Sequence, residues 1–206
     1  SMPPPSSGGI CLAQMYRMLS HFPLDEADAQ TPKLYHLLAE VMRRSFADRN
    51  QYLGDPDFVD CQMEMLEKLA RLDERASSIE QEKASASADF LGDIATPKEG
   101  EQTTHYSVMD KKGNGVAVTT TLNGSFGSKV LVPGAGFLLN NEMDDFITKP
   151  GAPNAYGLIG SAANAIAPGK RPLSSMSPTT VLQEGRVRLV TGASGGPTII
   201  TGTLQI

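Results

Sequence analysis

Thr103 to Leu122 reads TTHYSVMDKKGNGVAVTTTL, and its spacing sets the fold class. Tyr106, Val108 and Asp110 alternate with His105, Ser107 and Met109, a period of two that predicts a β-strand. Lys111-Lys112-Gly113-Asn114-Gly115 supplies turn residues whose glycines tolerate positive φ, and the β-branched run from Val116 to Leu122 returns the chain. A second hairpin of the same kind is expected from Thr179–Gln183 and Arg186–Thr191 about Glu184-Gly185. No internal repeat is visible.

Upstream the period changes. Thr31-Pro32 is a helix-start signal, a hydroxyl N-cap followed by a proline whose missing N–H does no harm there. Leu34, Leu37, Leu38, Val41 and Phe46 then share one helical face. Ile10, Leu12, Ala13, Met15, Tyr16 and Leu19 make an earlier apolar helix, ended near Pro23. A third helix is expected over about Gln62 to Glu80, with Leu66, Leu69 and Leu72 inside a charged surround. The methionines in these helices read as core filler. Lys83 to Gly100 has no sustained period and reads as a linker or mobile loop.

Composition divides at the same place. Residues 1–102 hold 10 Lys/Arg against 18 Asp/Glu with 5 glycines, whereas residues 103–206 hold 8 against 5 with 15 glycines. The first part is acidic and helical, the second weakly basic and strand-rich. Over 206 residues the net charge is −5, which offers nucleic acid no basic face of the usual kind. No apolar run is long enough for a membrane span, and the opening SMPPPSSGG lacks the basic-then-apolar order of a signal peptide. Cys11 and Cys61 read as ordinary thiols, too few for a zinc cluster.

Three chemical readings compete. VRLVTGASGG, Val187 to Gly196, looks like a dinucleotide-binding turn. It lacks the third glycine, Pro197-Thr198 stands where a helix start is needed, and only ten residues follow. What remains is a glycine pair able to expose backbone N–H groups to an anion. His21, His36 and His105 stand at no metal-ligand spacing and read as surface or satisfied histidines. Gln102-Thr103, where the loop meets the first strand, is the third. Cutting before a hydroxyl residue there frees an α-amine beside the hydroxyl, uniting nucleophile and base in one residue. Taken alone, threonines at a strand start are also ordinary β-propensity.

The motifs decide between these. MPPPSSGG (Met2–Gly9), ADRNQYLGDPDF (Ala47–Phe58), TTHYSVMDKKGN (Thr103–Asn114), TTTLNGSFGS (Thr119–Ser128), LLNNEMDDF (Leu138–Phe146), KPGAPNAYGLIG (Lys149–Gly160), KRPLSSMSPT (Lys170–Thr179) and the TGASGG turn follow in order along nearly the whole chain. Together they closely resemble the γ-glutamyltransferase (γ-glutamyl transpeptidase) family. The resemblance implies an α+β, four-layer αββα sandwich of the N-terminal-nucleophile hydrolase type, here incomplete at both ends. It implies a precursor cut between Gln102 and Thr103, with residues 1–102 from the large-subunit region and 103–206 from the small-subunit region, the two remaining partners.

In that resemblance Thr103 is the nucleophile, Thr121 orients or activates its hydroxyl, and Gly195 and Gly196 form the oxyanion hole. Pro197 has no N–H to add. Asn123, Glu142 and Asp145 would hold the donor's ammonium, with Glu142 standing where relatives commonly have glutamine. Ser174 and Ser175 would hold its α-carboxylate, with an arginine expected outside this stretch. Thr148 to Ala155 with Tyr156 would form a lid. No cofactor or metal is implied. The expected activity is γ-glutamyl transfer from glutathione or related donors to amino acids, peptides or water, in the periplasm or outside the cell. A glutaryl-type acylase of the same fold, or a non-catalytic fragment, are the alternatives.

Overall fold

The computed structural model describes residues 1–91, 102–147 and 161–206. Helix α1 spans Gly8–Leu19 and buries Ile10, Cys11, Leu12, Gln14, Met15 and Met18. Helix α2 spans Pro32–Tyr52, and the Thr31 hydroxyl accepts from the Leu34 N–H at 3.3 Å, the cap expected from Thr31-Pro32. Its buried face is apolar at Leu37, Leu38 and Val41. It then turns polar, with Glu40, Arg44, Ser45, Asp48 and Arg49 all buried.

The single helix expected over 62–80 is broken. Met63–Leu66 forms α3 and Leu69–Ser77 forms α4, separated at Lys68, whose backbone is extended. Leu66 and Leu72 are buried while Leu69 is 59% exposed, so the three leucines do not share one face. Long-range pairing sets the placement of α4: Arg71 and Arg75 both reach Asp48 of α2, at 2.7 and 3.0 Å. A short helix α5, Ala88–Leu91, interrupts the stretch read as a linker. Residues 92–100 of that stretch lie outside the described residues.

Strands β1 (Thr103–Met109) and β2 (Gly115–Thr121) pair antiparallel, Thr103 opposite Thr121. Strands β3 (Thr179–Gln183) and β4 (Arg186–Thr191) form the second hairpin, with Glu184 and Gly185 both at positive φ as a tight hairpin turn requires. The hairpins lie against each other. A Cβ on Gly192, just past β4, would collide with the His105 ring of β1, so only glycine permits this approach. His105 is satisfied there by Thr119 Oγ1 at 2.8 Å and Ser107 Oγ at 3.0 Å, and burial lowers its pKa. The other two histidines are also engaged, His21 with Asp73 and His36 with the Glu80 carbonyl.

Helix α6, Thr198–Leu204, corrects the reading of the glycine turn. A helix does start after Gly195-Gly196, and Ile199, Ile200 and Leu204 are buried, Ile200 and Leu204 within the core formed by α1 and α2. The dinucleotide reading still fails, since the third glycine is missing. The fold class is α+β. Among the described residues every α-helix except α6 precedes Gln102 and every strand follows it, but the core crosses that boundary.

Candidate active site

The register of β1 against β2 places Thr103 beside Thr121. The Thr121 hydroxyl donates to the Gln102 carbonyl at 3.3 Å and accepts the Asn123 N–H at 2.9 Å. Its partner is therefore the carbonyl of the Gln102–Thr103 peptide. The Ser125 hydroxyl donates to the Gln102 side-chain oxygen, so the residue before Thr103 is held at two points.

Asn123 is buried and left-handed, φ 70°, a conformation asparagine tolerates better than most residues. Its amide donates to the Asn141 carbonyl at 3.1 Å, and Asn141 Oδ1 accepts the Gly124 N–H at 2.8 Å. These bonds strap the 3-10 turn Glu142–Asp145 to the end of β2. Gly127 lets the strap close: at φ 53° it lies against the Leu139 carbonyl, where a Cβ has no room.

Asn164 fixes the other side of that turn. Its amide donates to the Asp145 carbonyl at 2.6 Å, and its Oδ1 accepts the Leu173 N–H at 2.9 Å, which joins the acidic turn to the segment carrying Ser174 and Ser175. Burial, with Glu142 hydrogen-bonded alongside, pushes the Asp145 carboxyl up to about 8, against the pull of Arg49. Burial also raises Glu142. Two buried carboxyls this close disfavour ionisation of both together.

The serine pair is held from the helical half. Ser7 donates through its N–H, at 2.9 Å, and its hydroxyl, at 2.8 Å, to the Ser174 carbonyl. Arg49 donates to Ser175 Oγ at 3.1 Å and to Ser7 Oγ at 2.9 Å. Nearby, Asp55 of one half accepts from both the N–H and the guanidinium of Arg171 in the other. Arg171 holds the Asp55 carboxyl well below the usual carboxylate range.

Gly195 and Gly196 follow β4 at φ 119° and 58°. The Gly195 carbonyl is taken by Thr198, while neither glycine N–H is used among the described residues. The structure thus joins Gln102, Thr103, Thr121 and Asn123 directly, brings Glu142 to them through Asn141, and ties Ser174 and Ser175 to Asp145 through Asn164. The glycine pair makes no hydrogen bond to this group. Tyr156 and residues 148–155 of the expected lid lie outside the described residues. Sequence reading assigned no role to Arg49, Asn141, Asn164 or Ser125. For Arg49 there was a signal, a run of polar residues at helical spacing on a face otherwise apolar.

The family model described as Gamma-glutamyltranspeptidase matches residues 1–206. The chain is 48% identical over 206 residues to the Glutathione hydrolase proenzyme of Escherichia coli (strain K12), covering 100% of this chain and 36% of that protein. It is 38% identical over 204 residues to the Acylase ACY 1 proenzyme of Pseudomonas sp. (strain SE83), covering 98% of this chain and 34% of that one. The chain thus spans about a third of the length of the curated relatives it matches. Among solved structures, cephalosporin acylase from Bacillus halodurans shares the fold, with a TM-score of 0.74 at 22% identity over 98% of this chain and 33% of the other. On the match along its whole length, this chain belongs to the gamma-glutamyltranspeptidase family.

Proposed function

We propose that the protein to which this chain belongs is a γ-glutamyltransferase that matures by cutting itself before Thr103. The observation that carries this is the Thr121 hydroxyl on the Gln102 carbonyl, one strand across from Thr103. In maturation the Thr103 Oγ attacks the Gln102 carbonyl carbon while Thr121 stabilises the developing oxyanion. The C–N bond breaks, its nitrogen takes up the hydroxyl proton and becomes the free α-amine, and water hydrolyses the ester to leave a Gln102 carboxylate and restore the Thr103 hydroxyl. The cut separates residues 1–102 from 103–206 as partners, and contacts such as Asp55–Arg171 favour their staying together.

In turnover the same hydroxyl attacks the donor's γ-carbonyl, and the α-amine takes its proton and passes it to the leaving amine. An acyl-threonine forms, resolved by an amino acid, a peptide or water. Gly195 and Gly196 offer free N–H groups to the oxyanion. Asn123, Glu142 and Asp145 receive the donor's ammonium, and Ser174 and Ser175 its α-carboxylate. The name of the Escherichia coli relative supports glutathione as donor and a precursor stage.

The acylase relative supports a second reading, hydrolysis of glutaryl amides. The carboxyl pair favours the first, because a glutaryl group has no ammonium to meet it. By the same resemblance we place the protein in the periplasm or outside the cell, which fractionation would test. Rates of the full-length protein on γ-glutamyl and glutaryl 4-nitroanilides decide between the reactions; faster glutaryl turnover would favour the acylase.

A further inference from the structure

Arg49 and Arg44 are the two buried arginines among the described residues, and they differ in one respect. Arg44 has Glu40 at 2.5 Å, whereas Arg49 has no carboxylate within 4.0 Å among the described residues. The Arg49 guanidinium donates to three neutral oxygens instead: Ser7 Oγ at 2.9 Å, Ser175 Oγ at 3.1 Å and Asn50 Oδ1 at 3.3 Å. Asp145 acts on Arg49 through space without a direct ion pair, and its own carboxyl is raised by burial. A buried cation so weakly compensated is costly, and a ligand anion lowers the cost.

The serines are arranged to meet such an anion. A hydroxyl that accepts from one side has its single proton left to give on the other. Ser175 Oγ accepts from Arg49, and Ser174 Oγ accepts from the Met176 N–H at 3.0 Å. Neither hydroxyl donates to any acceptor among the described residues. The pair forms two O–H donors, one of them backed by a guanidinium that touches no carboxylate among the described residues.

We infer that Arg49 is a positioning residue for the donor: it fixes Ser175 as a hydrogen-bond donor and supplies the positive charge behind the donor's α-carboxylate. The inference rests on the proposed γ-glutamyl donor site and adds to it a residue from the helical half. Arg49 acts through Ser175 and takes no part in bond making.

Two anilides isolate this role, because 4-aminobutyryl 4-nitroanilide is the γ-glutamyl compound without its α-carboxylate. In the full-length protein, Arg49→Met should lower the ratio of kcat/KM for γ-glutamyl over 4-aminobutyryl anilide at least tenfold, mainly through the KM of the γ-glutamyl donor. An equal loss on both substrates, or none, overturns the inference and makes Arg49 structural only. Should Arg49→Met not fold, Arg49→Lys decides. Its single head group cannot hold Ser7 and Ser175 together, so adding Ser175→Ala should raise the donor KM less than it does in wild type. An undiminished effect overturns the inference. The γ-glutamyl reading fails on a different result, absence of γ-glutamyl turnover in the wild-type protein.

Discussion

Replacing Thr121 with valine keeps the shape of the side chain and removes one hydroxyl, which in the precursor lies 3.3 Å from the Gln102 carbonyl. Between neutral groups such a bond contributes about 0.5–1.5 kcal/mol net. It strengthens once that oxygen becomes an oxyanion, and a well-placed donor of this kind is worth about 2.7–4 kcal/mol. The 3.3 Å separation is longer than the best donors show, so the loss falls between the two ranges, about 1.5–2.7 kcal/mol, or self-cleavage roughly tenfold to a hundredfold slower. Valine also strips the Asn123 N–H of its acceptor, costing about 1–3 kcal/mol of stability. Thr121→Ser retains both bonds and separates the effects. The assay follows newly synthesised full-length precursor by gel electrophoresis over time. The serine variant should cleave within about threefold of wild type. Wild-type cleavage by Thr121→Val would refute the role given to this hydroxyl.

Asp145→Asn should weaken γ-glutamyl donors by about 1.5–3 kcal/mol, the worth of a charge-assisted hydrogen bond, and glutaryl amides much less; equal losses would favour the acylase reading. Because burial raises Asp145 to about 8, its protonated form is favoured at neutral pH, and an ammonium placed against it favours the ionised form. The KM of γ-glutamyl anilide should therefore fall as pH rises from the ordinary carboxylate range toward 8, while that of glutaryl anilide stays flat. A pH-independent γ-glutamyl KM would contradict a raised Asp145 carboxyl that ionises on binding the ammonium. Glu40→Ala leaves the buried Arg44 unpaired and should cost the full-length protein about 3–5 kcal/mol, read as a lower Tm. Gly127→Ala forces a side chain against the Leu139 carbonyl and should lower both Tm and donor affinity; wild-type values for both would show that the strap does not position the acidic turn.

Elements whose signals are local were legible in the sequence. Both hairpins follow from period two with glycine-bearing turns, and the start of α2 follows from Thr31-Pro32. Elements decided by distant partners were not. The break at Lys68 accompanies the pairing of Arg71 and Arg75 with Asp48, and α6 depends on Ile200 entering a core built by α1 and α2. The same division runs through the site. Thr103 and Thr121 are neighbours because register follows from the turn between them. Arg49 meets Ser175 across 126 residues of sequence, and Asn164 meets Asp145 by a side-chain bond without a sequence period to announce it. Polar residues on a buried helix face were the available hint, and spacing alone does not say what they face.

The central claim is that the Gln102–Thr103 bond is the one the protein cuts. Intact mass and N-terminal sequencing of purified full-length protein test it most directly. Wild-type protein should give two chains, the smaller beginning TTHYS, and Thr103→Ala a single uncut chain. A Thr103→Ala protein that is still cut at this bond, or a wild-type protein cut elsewhere, would contradict it.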